Sequence, residues 1–328
     1  MNLRILLFAL ISALTFSSLS AAETGCTDPL ATNYKQSATE NDGSCVYIDT
    51  IISPVSSLEL PADVNETSGL MFWNNKLWTH NDSGNNTNLY AIDSISGKVL
   101  QSFKLLRAKN VDWEEITQDK DYIYLGDFGN NNGNRQDLRI VKIPKVKMFT
   151  LAPRLDTIQF SYSNQTDFVS PGAHKTNFDC EAMIVTADSI YLFTKQWVAN
   201  KTSIYSLSKS PGTQVAKLIT TFNVHGLITG ASFMEDKRII ALTGYTTLLQ
   251  PFIYLLYDFK GTDFFGGNKR RMPLSLMFHQ VEAIATTDGK KYYISNESFA
   301  KQPYFSTVQK LHTLDLGFCL SDYLSSIK

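Results

Sequence analysis

Three glutamates occupy the same position in three copies of a sequence repeat, namely Glu114, Glu181 and Glu282. Asp112 and Asp179 lie two residues earlier in two of these copies. If the copies surround one axis, the carboxylates gather near it, where like charges repel unless protons or a cation neutralise them. Hard cations such as Ca²⁺ prefer oxygen ligands of this kind. The pattern predicts a Ca²⁺ site at the axis; the structural alternative is that each glutamate accepts backbone N–H bonds from a neighbouring copy.

A second group of side chains follows the second strand of each copy and mixes charged, polar and aromatic types. A plain hairpin needs only residues such as Gly, Asn or Asp there, which is the alternative explanation for part of the pattern. The mixture suits recognition of a glycan, a peptide or a small phosphorylated ligand. The predicted ligand-binding residues are His80, Asp82, Asp127, Lys195, Trp197, Tyr245 and Glu297.

Short strands in a recurring order carry these residues. Each copy has an apolar strand, a tight turn, an aromatic-rich strand and one or two further strands with alternating apolar residues. Four strands in about 40 to 50 residues are typical of one blade of a β-propeller, whose faces are covered by the neighbouring blades. The copies align at Leu70, Ile116, Met183, Phe233 and Ile284.

The alignment predicts an all-β fold: a propeller of five four-stranded blades over residues 48–328, preceded by a short disulfide-closed segment. Six blades are the alternative if the long stretch between the second and third copies hides a degenerate blade. At the glutamate position the alignment places Ser68 in the first copy and Gly230 or Ala231 in the fourth. Thr50–Pro61 is predicted to supply the missing outer strand of the last blade and so to close the ring.

The first 22 residues have the features of a secretory signal peptide. Arg4 precedes the apolar run Ile5–Phe16, and the small residues Ser20–Ala22 follow as a cleavage site. The run is too short for a membrane-spanning helix, and no segment of the mature chain reaches that length. We therefore expect an exported protein, located in the periplasm, outside the cell or at the cell surface.

Export places the four cysteines in an oxidising compartment, where three pairings are possible. Cys26 and Cys45 bracket a short polar segment without a core of its own, so a bridge between them would stabilise it by about 3 kcal/mol. We expect residues 23–47 to form a small module isolated from the propeller. Cys180 and Cys319 are expected to be free buried thiols; they could pair if the end of the chain returns to its middle.

The segment GCTDPLATNYKQSATENDGSC resembles a module of secreted Bacteroidetes proteins, of the form GCTDPxAxNYxxxAxxDDGSC. The resemblance covers about twenty residues. It implies an oxygen-rich turn suited to Ca²⁺, with Asp28, Asn33 and Asp42 as ligands. The alternative is a disulfide-closed polar turn that binds no metal.

Most of the chain after Tyr47 resembles a family of secreted Bacteroidetes propellers of unsettled function, through the phrases THNDSGN, DWEEI, YLGDFGNNNGNRQDLRIVKI, LFTKQW, QVEAIA and YISNE. It is also distantly similar to the phytase-esterase-like and SdiA-regulated propellers. The distant resemblance implies a metal-assisted phosphoester or ester hydrolase. Glu114, Glu181 and Glu282 would then hold the metal, with His279 or Asp127 as the catalytic base.

Composition and missing motifs exclude several functions. The chain has 328 residues, with 30 Lys+Arg against 31 Asp+Glu. Without an excess of positive charge it would release few counterions from a nucleic acid, so nucleic-acid binding is not expected. There is no GxSxG elbow, HExxH helix, phosphate loop or dinucleotide fingerprint. We therefore expect a monomeric, non-catalytic binding propeller, with the hydrolase as the alternative. The five histidines are too scattered for a zinc cluster: His80, His174, His225, His279 and His312.

Overall fold

The computed structural model describes residues 22–84, 86–150 and 153–327. The predicted signal peptide lies outside the described residues except for Ala22. The described chain forms the predicted β-propeller, with five four-stranded blades. Residues 163–178, the long stretch between the second and third copies, form a loop and not a sixth blade. The five-blade prediction is therefore confirmed.

Each blade is an antiparallel sheet whose first strand lies nearest the axis, and the five first strands are neighbours around a closed ring. The outermost strands of blades 2 and 3 also pair with each other in parallel. From the axis outward, the strands are Thr67–Trp73, Lys76–Asn81, Asn88–Ile92 and Val99–Lys104 in blade 1, Trp113–Gln118, Tyr122–Asp127, Arg139–Pro144 and Asp156–Tyr162 in blade 2, and Asp179–Val185, Ser189–Lys195, Thr202–Ser208 and Gly212–Phe222 in blade 3. They are Leu227–Met234, Ile239–Tyr245, Pro251–Tyr257 and Asn268–Pro273 in blade 4, and Val281–Thr286, Lys291–Asn296, Lys310–Asp315 and Ser56–Glu59 in blade 5.

A few short elements lie outside the blades. The α-helix Gly317–Ser326 follows the last blade and was not predicted. None of the helices in the described ranges is long and apolar enough to cross a membrane. The remaining elements are the strand pairs Thr24–Gly25 with Glu40–Asn41 and Phe299–Lys301 with Phe305–Thr307, and the 3₁₀ helices Ala62–Val64, Lys145–Lys147 and Glu235–Lys237.

Burial along the strands follows their distance from the axis. The innermost strand of blade 3, Asp179–Val185, and the second strand of blade 4, Ile239–Tyr245, are buried at every residue. The outermost strand of blade 2, Asp156–Tyr162, alternates, with Ile158 and Phe160 buried between exposed neighbours. Because successive side chains of a strand point to opposite faces, an inner strand is buried on both faces, whereas an outer strand has one face in water.

The hydrophobic core consists of five clusters, one between each pair of adjacent blades. Trp78 of blade 1 and Trp113 of blade 2, for example, belong to one cluster and are fully buried. Each blade therefore depends on both of its neighbours for its core. A break in the ring at any point would expose two apolar faces.

The predicted closure of the ring is present. Ser56–Glu59 pairs antiparallel with Lys310–Asp315 and is the fourth strand of blade 5. Just before this strand, Ile52 forms an isolated bridge with Leu274, next to the outermost strand of blade 4. Residues that precede the first blade thus complete the last one.

The predicted disulfide between Cys26 and Cys45 is also present, and Cys180 and Cys319 are free and buried. Cys180 lies in the innermost strand of blade 3 and Cys319 in the C-terminal helix. Both thiols pack as small apolar side chains in separate core clusters.

The N-terminal module is not isolated from the propeller, contrary to expectation. Asp28 Oδ2 accepts hydrogen bonds from the hydroxyls of Tyr257 at 2.6 Å and Tyr47 at 2.7 Å. The side-chain amide of Asn41 donates to Asp258 Oδ2 at 2.8 Å. The polar side chains of the small loop are used to bind it to blade 4, and sequence spacing carries no signal of such a contact.

Reduction of the Cys26–Cys45 bridge is expected to lower the melting temperature of the mature protein by several degrees. The bridge closes the loop that carries Asp28 and Asn41, and such a closure contributes about 3 kcal/mol. Because both side chains bind blade 4, a disordered loop weakens the propeller as well.

Calorimetry with and without reductant measures this effect. The Cys26→Ser/Cys45→Ser variant is the control, since it should melt at the lowered temperature and show no response to reductant. A wild-type melting temperature that is the same in both conditions would show that the module and the propeller are uncoupled.

Candidate functional site

A β-bulge in the innermost strand of blade 2 determines where Glu114 points. Trp113 pairs with Asp127 and Glu115 pairs with Gly126, so Glu114 is an extra residue in the ladder. A bulge redirects the extra side chain, and bulges are frequent beside functional sites. The corresponding extra residues of the other blades are Glu181 in blade 3, Thr229 in blade 4 and Glu282 in blade 5.

The equivalent residue of blade 4 differs from the expectation. The alignment placed Gly230 or Ala231 there, but Thr229 is the bulged residue and its hydroxyl donates to the carbonyl of Val281 in blade 5. The alignment relied on Phe233, which lies two residues too far along the strand. The innermost strand of blade 4 is longer than the others, so its apolar pattern can be matched in more than one register.

The bulges surround a cavity of about 200 Å³ to which all five blades contribute. The three repeat glutamates, Glu114, Glu181 and Glu282, all line it. Five of the seven predicted ligand-binding residues line it as well: Asp82, Lys195, Trp197, Tyr245 and Glu297. Ser68, which the alignment places at the glutamate position of the first copy, lines it too. The other three lining residues were not predicted, because they lie in a polar run, in the long loop and directly before a strand: Asn131, His174 and Gln280.

Asp82, Asp112 and Glu114 form an acidic group at the edge of the cavity, which Asp82 and Glu114 line and Asp112 adjoins. One oxygen of each carboxylate lies within 4.8 Å of the others. Gly129 permits this approach, because a Cβ atom at that residue would lie 2.1 Å from Glu114 Oε1 and 2.4 Å from Asp112 Oδ2. The arrangement offers three oxygen ligands from blades 1 and 2 to one cation.

Asp127, predicted as a ligand or a catalytic base, is not among the residues that line the cavity. Its Oδ1 accepts hydrogen bonds from the backbone N–H of Asp112 and from Arg135, both at 3.1 Å. Its Oδ2 accepts from Arg139 at 2.6 Å. The buried carboxylate thus positions the backbone of Asp112 and is neutralised by two guanidinium groups.

The two histidines predicted for the site also lie outside the cavity lining. His80 is fully buried with its ring edge-on to Trp113, and burial lowers its pKa to about 4. His279 is half-buried, and its Nδ1 lies 2.9 Å from the carbonyl of Met277. Neither base candidate of the hydrolase alternative, Asp127 or His279, therefore lines the cavity.

Lys195 supplies a buried cation among the carboxylates. Its Nζ lies 3.0 Å from Glu181 Oε1, and also 4.7 Å from the ring centre of Trp197 and 5.2 Å from that of Tyr245. Burial lowers the pKa of Lys195, but attraction to Glu181 and other neighbours more than offsets this, and the pKa lies well above its usual range. Lys195 is therefore a permanent positive charge and not a nucleophile.

The carboxyl groups outnumber this cation, and the pKa values of several of them are raised. Burial, with repulsion from Asp112, raises the pKa of Asp82 to about 8. Burial, with repulsion from Asp179, raises the pKa of Asp112 to about 6. Burial and then neighbouring carboxylates raise the pKa of Glu114 and of Glu297 well above the usual range. A cation bound here would displace protons from these groups.

Four buried side-chain oxygens at the cavity have no hydrogen-bond donor among the residues that the structure describes. A buried acceptor left in this state costs about 1–3 kcal/mol, so it indicates a missing partner. As acceptors, these oxygens would be satisfied by a cation or by a hydrogen-bond donor, and a cation would also replace a proton held by Glu114. The atoms are Glu114 Oε1, Asn131 Oδ1, Gln280 Oε1 and Glu282 Oε2.

Glu115 has a structural role that the sequence reasoning did not assign to it. It is fully buried, and its carboxylate accepts backbone N–H bonds from Ile116 at 3.0 Å and Ala231 at 2.8 Å. Burial raises the pKa of this carboxylate well above its usual range, and the backbone N–H groups of Leu70 and Met183 also act to lower it, so the carboxylate faces strands of blades 1 to 4. The sequence does distinguish Glu115 from its counterparts. Blades 3, 4 and 5 have a small residue directly after the bulged one, where blade 2 has this glutamate: Ala182, Gly230 and Ala283.

The predicted metal ligands of the N-terminal module make hydrogen bonds within the protein. Asn33 Oδ1 accepts from the backbone N–H of Val46 at 2.8 Å, and Asp42 Oδ1 accepts from that of Ser44 at 3.0 Å. Asp28 binds two tyrosine hydroxyls, as described above. These bonds account for the three side chains as parts of a turn and a docking surface, and Ca²⁺ at this place stays a prediction.

No family model and no curated protein sequence matches the chain. Among solved structures it is similar to a chain of a mitotic checkpoint complex, with 11% identity and a TM-score of 0.39 over 96% of this chain and 99% of that one. It is also similar to a calcium-binding protein, regucalcin, from Agrobacterium tumefaciens strain C58, with 10% identity and a TM-score of 0.40 over 82% of this chain and 97% of that one. Nothing about ligand or activity follows from likeness at this level.

Proposed function

We propose that this protein is an exported, non-catalytic binding propeller that holds Ca²⁺ in its central cavity. The observation that carries the proposal is the acidic group of Asp82, Asp112 and Glu114, in which Glu114 Oε1 is a buried oxygen without a donor among the described residues. The side-chain amide of Asn131 supplies a second such oxygen, Oδ1, to the same cavity. Ca²⁺ takes roughly six to eight oxygen ligands, and both kinds are among those it uses.

Asp82, Asp112 and Glu114 would hold the ion. Their oxygens already lie close together, and like charges at this separation favour either protonation or a cation. Zn²⁺ fits less well because it prefers nitrogen and sulfur ligands. The described lining contains no cysteine, and the ring of its one histidine, His174, is stacked 4.1 Å from the ring of Trp197.

Binding is the better proposal than hydrolysis because neither base predicted from the sequence lines the cavity, and the ring of its one lining histidine, His174, is stacked on Trp197. Asp127 is held by Arg135 and Arg139, and His279 lies outside the lining. Lys195 is charged, so it cannot act as a nucleophile or base. Export is supported by the disulfide, which is typical of proteins in oxidising compartments, and by the resemblance to secreted Bacteroidetes propellers.

Addition of Ca²⁺ to the metal-free mature protein is expected to raise its melting temperature. A ligand that binds only the folded state stabilises it by about 2.7 kcal/mol at a hundredfold excess over Kd. Glu114→Gln should abolish this response, because it removes a charged ligand and leaves a side chain of the same size. Asp236→Asn is the matched control, since the Asp236 side chain is 72% exposed and does not line the cavity, and the variant should leave the response intact.

The response to Ca²⁺ is expected to grow between pH 5 and pH 8. The pKa of Asp82 in the folded protein is about 8 and that of Asp112 about 6, against 3.8 for an ordinary aspartate. Without metal the folded state therefore binds more protons than the unfolded chain, and the stability linked to these groups falls as the pH rises from about 4 to 8. Ca²⁺ replaces the protons, so the metal-bound protein escapes this loss.

Melting curves at several pH values, with Ca²⁺ or with chelator, provide the test, and elemental analysis gives the metal content. Identical curves with Ca²⁺ and chelator for the wild type, together with no bound metal, would refute the Ca²⁺ site. Turnover of a generic phosphoester that is lost in Glu114→Gln would refute the non-catalytic role and favour the hydrolase.

A further inference from the structure

An aromatic groove of about 410 Å³ adjoins the acidic cavity. Its walls include Phe278, which is 41% exposed and stacked on Phe305 with ring centres 4.7 Å apart. Phe305 belongs to a small hairpin, Phe299–Lys301 with Phe305–Thr307, which lies between the second and third strands of blade 5. Leu248 adds a side chain that is 77% exposed. Exposed apolar side chains gathered in one concave surface are typical of a ligand site.

The groove and the acidic cavity are continuous, because four residues line both: His174, Trp197, Tyr245 and Gln280. At this junction Gln280 Oε1 and Glu282 Oε2 are buried acceptors without a donor among the described residues. The other oxygen of Glu282 accepts from the hydroxyl of Tyr245 at 3.3 Å. A ligand that fills the groove would therefore meet the Glu282 carboxyl and the Gln280 amide oxygen at its inner end, and a cationic ligand would favour the charged form of Glu282, whose pKa is raised by burial.

Lys195 shows which chemical group this environment accepts. Its primary ammonium is surrounded by the Glu181 carboxylate and the rings of Trp197 and Tyr245. Carboxylate and aromatic faces together bind an ammonium by ion pairing and cation–π attraction. Trp197 and Tyr245 are also walls of the groove. Lys301 lines the groove too, but its side chain is exposed, so water screens its charge.

We propose that the aromatic groove and the Glu282 side of the cavity form one site for a small organic ammonium ion with an aromatic or alkyl body. The ammonium would donate to Glu282 and Gln280, and the apolar body would lie against Phe278 and Phe305. This inference deepens the proposed function and rests on it, because it names the ligand class of the binding propeller. Asp82, Asp112 and Glu114 remain with Ca²⁺, so both ligands can bind together.

Calorimetric titration of the Ca²⁺-loaded mature protein with 2-phenylethylamine tests the proposal. The uncharged 2-phenylethanol, which has the same shape, should bind about tenfold more weakly or worse, since it lacks the charge-assisted hydrogen bonds. Glu282→Gln should remove most of this difference. Phe278→Ala should weaken binding of both compounds by about fivefold through loss of apolar contact. Phe318→Ala is the matched control, because Phe318 is 52% exposed on the C-terminal helix and does not line the groove.

Three outcomes would overturn the inference. The first is equal affinity for amine and alcohol. The second is an amine affinity unaffected by Phe278→Ala and abolished by Ca²⁺, which would mean that the amine merely occupies the cation site. The third is tighter binding of the tripeptide Phe-Gly-Gly than of the free amine, which would indicate a peptide ligand.

The two proposals can fail separately. Stabilisation by Ca²⁺ without binding of the amine would contradict the proposal of an organic ligand and support the Ca²⁺ site. The protein could instead bind the amine through Glu282 and Phe278 and show no response to Ca²⁺. This result would contradict the Ca²⁺ site and support the groove as the ligand site.

Discussion

Without Thr50–Pro61, the propeller is expected to aggregate or to lose most of its stability. The strand Lys310–Asp315 would lose its partner Ser56–Glu59 and expose a row of unpaired backbone groups. Leu60, which is 2% exposed in the core cluster between blades 5 and 1, would be lost as well. Because each blade depends on both neighbours for its core, the damage extends beyond the deleted strand.

The closing strand is also connected to the cavity through a chain of hydrogen bonds. Ser57 Oγ lies 2.7 Å from His312 Nδ1, and His312 Nε2 lies 2.8 Å from Asn296 Oδ1. The side-chain amide of Asn296 donates to the backbone carbonyl of Glu297 at 2.8 Å. Glu297 lines the acidic cavity. Opening the ring is therefore expected to disturb the site and to weaken the response to Ca²⁺.

Light scattering and thermal melting of the deletion variant measure the effect of closure. A milder pair of variants separates the backbone pairing from the loss of residues. Val55→Pro removes an N–H that donates to the carbonyl of Thr313 at 2.8 Å, and should cost about 1–3 kcal/mol. Val55→Ala keeps that bond and changes only a side chain that is 66% exposed. A monodisperse deletion variant with unchanged melting would show that the closing strand is dispensable.

The architecture was predictable because its signals are local and repeated. The turn between the first two strands of blade 1 is Asn74-Asn75, with φ of 50° and 60°, the positive values that a two-residue hairpin requires. Turns of this kind at a regular spacing determine the strand order within a blade and the number of blades. A gathering of the repeat glutamates around the axis follows from the same periodicity.

The details of the site were less predictable because they depend on register and on contacts between distant segments. The bulge at Thr229 shifts the blade 4 alignment by two residues, and an apolar pattern alone does not show such a shift. Asp127 is an acidic residue at the end of a strand like Asp82, and only the approach of Arg135 and Arg139 distinguishes the two. The groove brings together Phe278 and a hairpin that occurs in blade 5 and has no counterpart in the repeat.

The C-terminal helix was missed for a related reason. Gly317–Ser326 has a weak apolar periodicity, and only Cys319 and Leu320 are buried within it. Two buried residues in ten give too faint a pattern to distinguish a helix from a loop. Its packing against the core cluster between blades 4 and 5, rather than its own periodicity, accounts for its position.

Glu115→Ala is expected to destabilise the protein by about 4 kcal/mol or more, or to prevent folding. The carboxylate of Glu115 accepts backbone N–H bonds from Ile116 and Ala231, and it also faces the backbone N–H groups of Leu70 and Met183 on two further innermost strands. Alanine would leave these donors buried and unpaired, each at a cost of about 1–3 kcal/mol. The sum is comparable to the entire stability of a typical domain, which is about 5–15 kcal/mol.

Two further variants separate the hydrogen bonds of Glu115 from its charge and from a general effect of removing a glutamate. Glu115→Gln keeps one acceptor oxygen but turns an NH₂ group towards backbone N–H donors. Its free energy of unfolding should therefore lie between those of the wild type and Glu115→Ala. Glu235→Ala removes a single bond at an exposed site, where Glu235 Oε1 accepts from the N–H of Ala187 at 2.8 Å, and should cost less than about 1 kcal/mol. Chemical denaturation of all three variants gives the free energies of unfolding. If Glu115→Ala were no more destabilising than Glu235→Ala, the bonds across the axis would contribute little, and the ring would be held by the cores between its blades alone.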